Sequence, residues 1–213
     1  MGDKFIIHLW CCPRTLSTAT MYSFAQRKDT IVFDEPLYSS YLRRYPQQTR
    51  PYKEEIFKAQ QWNESLFIES LPNKFTTDKT IIVCKHIAKQ VSIEGLHECY
   101  HKYNNRTDIR VEHVFLIRDP LDIINSWSEK ISVHGDGCSL ESLCFITVVN
   151  LFSKLRRLTQ RTPLVIDSNI LKQYPEEILT QLCDKLSIPF DIAQLSWPAG
   201  PKPEIDGFVI STY

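Results

Sequence analysis

The seven cysteines of this chain include no CxxC pair, and their number is odd. That argues against a disulfide framework and for reduced, buried thiols in a cytosolic protein. No stretch approaches the roughly 18 apolar residues of a membrane span. Neither sign of charge prevails, with 25 Lys and Arg against 25 Asp and Glu. A general nucleic-acid or polyanion binder is therefore not expected, although a local basic pocket remains open. No secretory leader precedes the strand-like run that begins by Phe5, and Ile6 stands where myristoylation requires Ser or Thr. Without such a leader, the sequons at Asn63 and Asn105 carry little weight. Internal repeats and low-complexity linkers are also missing. What remains is the expectation of one α/β domain over residues 1–213, cytoplasmic, with no membrane or nucleic-acid partner and no stated oligomeric state.

Five β-rich runs are present: residues 5–10, 30–35, 80–86, 112–118 and 163–168. The most continuous are apolar throughout, as in strands covered on both faces. Helical patterns lie between them, at 16–27, 53–70, 88–102, 120–131, 139–160 and 170–187. Pro120 fits a first helical turn. The alternation predicts a three-layer α/β sandwich around a parallel sheet of about five strands. Ligands of such sheets sit at the carboxyl ends of the strands. The segments found there are CCPRTLST, DEPLY, KHIAKQ, RDPLDIINS and DSN, and they concentrate charged and hydroxyl residues.

The first of these segments turns from strand to helix. Arg14 offers planar donors suited to phosphate oxygens. Thr15, Ser17 and Thr18 add hydroxyls where free helix N–H groups favour an anion. Taken alone, the same residues also read as an ordinary helix N-cap with an exposed arginine. The GxxxxGK[ST] loop of nucleoside-triphosphate enzymes is missing. A second candidate grip lies further on: Arg118 ends a strand, and Ser126 follows two turns into the next helix. The plainer reading pairs Arg118 with Asp119 or Asp122. Two separated grips suggest a nucleotide bisphosphate.

These residues resemble the sulfotransferase superfamily, which uses 3′-phosphoadenosine 5′-phosphosulfate (PAPS) on a P-loop-like fold. Pro13-Arg14-Thr15-Leu16-Ser17-Thr18 is similar to that family's 5′-phosphosulfate loop, with Leu16 where a glycine is usual. Arg118 and Ser126 match its 3′-phosphate site. The resemblance spans about residues 5 to 130. PRTLSTATMYSFAQR, VFDEPLY and the tail GPKPEIDG look more specifically like a group of small soluble relatives, some with aminotransferase-like names. It implies PAPS binding by Arg14, Thr15, Leu16, Ser17, Thr18, Arg118 and Ser126, with no metal. Glycine at position 16 would allow close backbone approach to the phosphate. A leucine of ordinary φ still offers its N–H.

Sulfuryl transfer needs a base at the acceptor and cations for the charge that develops on the sulfonate and the departing phosphate. Glu35 stands at the family's strand-end glutamate position and is the first choice as base. If the strand continues, Asp34 points to the other side. Lys85 is expected to stabilise charge, and His86 is the alternative base. Because the two are adjacent, a regular strand turns only one of them toward the pocket. Tyr38, Tyr41, Trp62 and Trp127 are candidates for the wall of an acceptor pocket, or for core. The acceptor is expected to be a small molecule. HECYH at 97–101 matches the zinc-protease pattern, but no third ligand stands nearby, so it reads as helix surface. Two other classes stay open: a catalytically inactive bisphosphate-binding module, favoured by Leu16, and a P-loop-like kinase.

Overall fold

The computed structural model describes residues 4–134 and 140–200, apart from 49–51, 62, 93–94, 98–102 and 104–105. For 129–134 and 140–141 only the backbone is described. Every one of the five β-rich runs is a strand: β1 (Lys4–Cys11), β2 (Thr30–Asp34), β3 (Ile81–Ile87), β4 (Ile109–Ile117) and β5 (Leu164–Asp167). They form one sheet in the order β2-β3-β1-β4-β5. All of its pairings are parallel. β1 lies at the centre, and the connections leave it in both directions. That arrangement opens a crevice beyond its carboxyl end.

Helices cover both faces, which is why β1 can be apolar nearly throughout. On one face Ile7 and Leu9 pack with Val83, Val114, Phe24 of α1 (Ser17–Ala25) and Leu182. The opposite face holds two clusters. Ile6 and Ile82 meet Phe67 and Ile68, while Trp10 and Phe115 meet Leu151 and Leu155. Burying each such side chain contributes about 1.5–3 kcal/mol, so the strand ends are anchored on a stiff platform.

Several expected helices are divided. The run 53–70 is two helices, α3 (Lys53–Ala59) and α4 (Glu64–Ser70). Asn63 caps α4 by accepting from the Leu66 N–H at 2.8 Å, which starts a new helix inside the apolar pattern. A short helix, α2 (Tyr38–Arg44), was not expected at all. Of 88–102, residues Ala88–Gln90 form a single 3₁₀ turn, and much of the remainder lies outside the described residues. α5 (Pro120–His134) starts on its proline as anticipated. The 139–160 pattern breaks at Cys144, which takes a left-handed conformation between α6 (Leu140–Leu143) and α7 (Phe145–Thr159). The 170–187 pattern breaks before Pro175, giving α8 (Ser168–Gln173) and α9 (Pro175–Leu186). Among the described residues no helix is long and apolar enough to cross a membrane.

Candidate functional site

A cavity of about 860 Å³ opens at the carboxyl ends of the central strands. Arg14, Thr15, Leu16, Ser17, Thr18, Glu35, Lys85, Arg118 and Ser126 all line it. Tyr38, Tyr41 and Trp127 contribute to the wall, whereas Trp62 lies outside the described residues.

The loop after β1 is fixed from several sides. The Thr15 hydroxyl donates to the Cys12 carbonyl at 2.8 Å, so it braces the loop. Ser168 donates to the Thr15 carbonyl at 2.7 Å. The residue preceding α1 is Leu16, with φ 57° and ψ 19°, and no side chain caps the helix. The N-cap reading of Thr15 or Ser17 therefore does not hold. An ordinary φ at Leu16 does not hold either: the leucine adopts the left-handed conformation natural to glycine. Arg14 has a positive φ as well, 66°. The N–H groups of the first turn of α1 have no side-chain cap, and the residues that carry them line the cavity.

The two expected grips are directly joined. Arg14 Nε donates to Ser126 Oγ at 3.1 Å. Arg118 Nη1 donates to the Arg14 carbonyl at 2.9 Å, and its Nε donates to Asn169 Oδ1 at 3.2 Å. Asn169 in turn donates to Asp122 at 2.7 Å. Arg118 is thus aimed through Asn169 rather than through a direct pair with Asp119 or Asp122. Asp119 instead caps α5, accepting from the Leu121 N–H at 2.8 Å.

Across the cavity lies a buried charge cluster. Lys85 Nζ donates to Asp34 at 2.6 Å and to Glu35 at 2.7 Å. Gln90 donates to the other Glu35 oxygen at 2.6 Å. β2 ends at Asp34, and Glu35 turns with φ 45°. The strand does not continue, so Asp34 and Glu35 reach the same ammonium. Burial opposes the charge on Lys85, but the two carboxylates outweigh it and hold the lysine well above its usual range. Burial pushes the Asp34 carboxyl up to about 6 against the pull of Lys85. For Glu35 burial works in the same direction, yet Lys85 and the Gln90 amide hold it below the ordinary value.

His86, the alternative base, does not line this cavity. Neighbouring strand residues face opposite sides, and its ring stacks on Trp10 with centroids 4.5 Å apart. His86 Nε2 and His8 Nδ1 are 3.0 Å apart, and His113 Nδ1 accepts from the Trp10 indole at 3.1 Å. Burial, with the neighbouring histidines, keeps His86 well below the usual imidazole range, and burial lowers His8 to about 4. His8, Cys84 and His86 bring three potential ligand atoms within 4.8 Å of one another. The other nitrogens, His8 Nε2 and His86 Nδ1, are buried without partners. Of HECYH, only His97 is among the described residues.

The residues that sequence reasoning missed are supporting ones: Asp34 as a partner of Lys85, Gln90, Asn169 and Ser168. All four stand in or beside the strand-end segments KHIAKQ, DSN and DEPLY. Their position carried the signal, but nothing in the sequence says which of them point inward.

A family model described as a sulfotransferase domain matches residues 5–213. Two Arabidopsis thaliana proteins are related in sequence. Branched-chain-amino-acid aminotransferase-like protein 1 is 38% identical over 204 residues, covering 96% of this chain and 34% of that protein. Protein 2 of the same name is 36% identical over 202 residues, covering 93% and 33%. The chain thus spans about a third of the length of these curated relatives. Among solved structures it is similar to the sulfotransferase domain of the Synechococcus PCC 7002 olefin synthase. The TM-score is 0.63 at 16% identity, over 93% of this chain and 78% of that one. A sulfotransferase domain from the curacin biosynthetic pathway gives 0.62 at 16%, over 98% and 82%. These two likenesses show a common fold.

Proposed function

The chain belongs to the sulfotransferase-domain family, and we propose that it transfers a sulfuryl group from PAPS to a hydroxyl or amine of a small molecule. The observation that carries this reading is the junction of Arg14, Ser126 and Arg118 on the cavity that also holds Glu35 and Lys85. The joined donors suit an anionic ligand, and the division into two phosphate ends follows from the family resemblance. Arg14 and the uncapped first turn of α1 would hold the phosphosulfate, and Arg118 with Ser126 the 3′-phosphate. When bound, the nucleotide supplies a sulfuryl group whose bond to the 5′-phosphate breaks as the bond to the acceptor forms. Lys85 places a fixed positive charge beside the transfer. Glu35 takes the acceptor's proton, so protein and products balance. Its low carboxyl suits it to a hydrogen-bonding, modest base. Tyr38, Tyr41 and Trp127 give the acceptor apolar walls. The five described cysteines are buried and outside any disulfide, which fits a reducing compartment such as the cytoplasm.

Calorimetric titration with 3′-phosphoadenosine 5′-phosphate, the expected product, tests the premise. That bisphosphate should bind more tightly than ATP, and the reverse order rejects the reading. With labelled PAPS and a panel of small acceptors, Glu35→Gln should lower transfer by about 100-fold or more and leave bisphosphate binding intact. Loss of binding in that variant would show that Glu35 has been given the wrong role. A second reading, an inert bisphosphate-binding module, is favoured by the strained Leu16. It predicts binding by the wild-type chain without transfer to any acceptor.

A further inference from the structure

Resting on that reading, we infer that Asp34 is a positioning residue for the transfer: it neutralises the Lys85 ammonium from the β2 side and so leaves Glu35 its negative charge for the acceptor's proton.

The geometry is specific. Asp34 and Lys85 are register partners on adjacent strands, and their side chains point the same way. Their bond is 2.6 Å long, with the side chains only 3% and 4% exposed. In a regular strand Glu35 would face the other side. Its φ of 45° turns it back, and its N–H donates to the Lys85 carbonyl at 3.0 Å. Strain of this kind persists only where the surroundings hold it, and it gathers at functional sites. The result is one ammonium between two carboxylates, a group that carries one surplus negative charge.

The charged and titratable groups near this trio bear on that count, among them the Cys144 thiol, whose charge Glu35 opposes. Lys85 comes from β3. Lys89, beside it on the following turn, also attracts Glu35. Cys11 comes from β1, and burial pushes its thiol up to about 12, so it adds no charge near neutrality. Gln90 is neutral and orients the second Glu35 oxygen. If Asp34 were lost, Lys85 and Glu35 would neutralise each other, and Glu35 would become a weaker base.

The pH dependence follows with a definite sign. In the wild type the carboxylate pair takes up its first proton near the Asp34 value of about 6. The surplus charge disappears with that proton, and transfer should fall as pH drops through it. In Asp34→Asn, Glu35 is paired one to one with Lys85 and holds its charge to lower pH. The plateau rate should fall about tenfold, while the acid limb moves down by about one pH unit or more. Bisphosphate binding should be unchanged.

The experiment is the pH–rate profile of wild type and Asp34→Asn, with melting temperature and bisphosphate affinity measured alongside. An unmoved acid limb with a lowered melting temperature would mean that Asp34 is merely structural, and would overturn the inference. So would a wild-type plateau rate in the variant. If Asp34→Asn does not fold, the wild-type profile decides: an acid limb below about 4.5, where an isolated Glu titrates, overturns it. Carboxyl titration by ¹³C NMR separates this inference from the functional reading. The carboxyl signal that moves near pH 6 in the wild type should belong to Asp34 and should vanish in Asp34→Asn, with Glu35 titrating below it in both proteins, even if no acceptor is ever found. Absence of both PAPS-dependent transfer and bisphosphate binding would reject the function and leave the charge coupling standing.

Discussion

Lys85 and His86 are neighbours on β3, with exposures of 3% and 1%, yet the two faces of the sheet treat them oppositely. Lys85 keeps its charge because two carboxylates lie within 2.7 Å. His86 cannot keep one. Its surroundings are His8, Trp10 and His113, with no carboxylate among them. Burial disfavours the charged form of both side chains, and only a counter-charge, present at Lys85 and missing at His86, reverses it. The face that carries carboxylates opens onto the cavity, and the face that lacks them packs as a neutral aromatic stack.

The strongest way to break this comparison is to remove each side chain in turn. Lys85→Met should lower sulfuryl transfer by about 100-fold or more, because it removes the charge beside the transfer and leaves Asp34 and Glu35 repelling each other. His86→Leu should stay within about threefold of wild type when assayed below its melting temperature, since position 86 does not line the cavity. Steady-state rates with labelled PAPS check both. A His86→Leu protein that is folded, binds the bisphosphate and yet is inactive would restore the histidine as base.

A smaller effect sharpens the contrast, because the two faces respond to pH with opposite signs. His8 titrates at about 4 when folded, below its ordinary 6.5. Its contribution to stability is fully present above pH 6.5 and is lost as pH falls toward 4, by up to about 3 kcal/mol. Asp34 titrates at about 6, above its ordinary 3.8. Its contribution is fully present below pH 3.8 and is lost as pH rises through 6. Urea unfolding at pH 7.5 and 4.5 should therefore show acid destabilisation that His8→Phe reduces. If the His8→Phe protein loses as much stability in acid as the wild type, the neutral stack is not the cause.

This contrast also marks what the sequence could disclose. The strands, their parallel arrangement and the strand-end location of the site were legible, because apolar runs and their alternation with helices act locally. Arg14, Arg118 and Ser126 could be named from the sequence because they stand at spacings like those of the family pattern, and the structure joins them on one cavity. Glu35 and Lys85 were named, but the part played by Asp34 was not. A period-two reading sends Asp34 and Glu35 to opposite faces, and only the left-handed turn at Glu35 brings them together. His86 failed as a site candidate for the complementary reason: there the period of two holds. The division of 53–70 at Asn63 and the aiming of Arg118 through Asn169 depend on contacts between distant segments, which no local pattern records.

The smallest predicted effect concerns Leu16, and it compares strain with strain. Both Leu16 and Glu35 hold positive φ, at 57° and 45°. At Glu35 the turn gathers the charge cluster. At Leu16 the conformation serves the loop backbone, and the leucine side chain adds no cap. A left-handed non-glycine residue costs about 1–2 kcal/mol. Glycine would relieve that cost but lose about 0.5–1 kcal/mol through its greater freedom when unfolded. Leu16→Gly should therefore stabilise the protein by about 0.5–1 kcal/mol, a rise of roughly 1–4 °C in melting temperature. Because the loop already has the shape that a glycine would give it, bisphosphate affinity should change by no more than about threefold. Calorimetry and thermal melting together check this. A gain in affinity of tenfold or more without any gain in stability would show that the leucine side chain, and not its backbone, is what separates this loop from the usual glycine form.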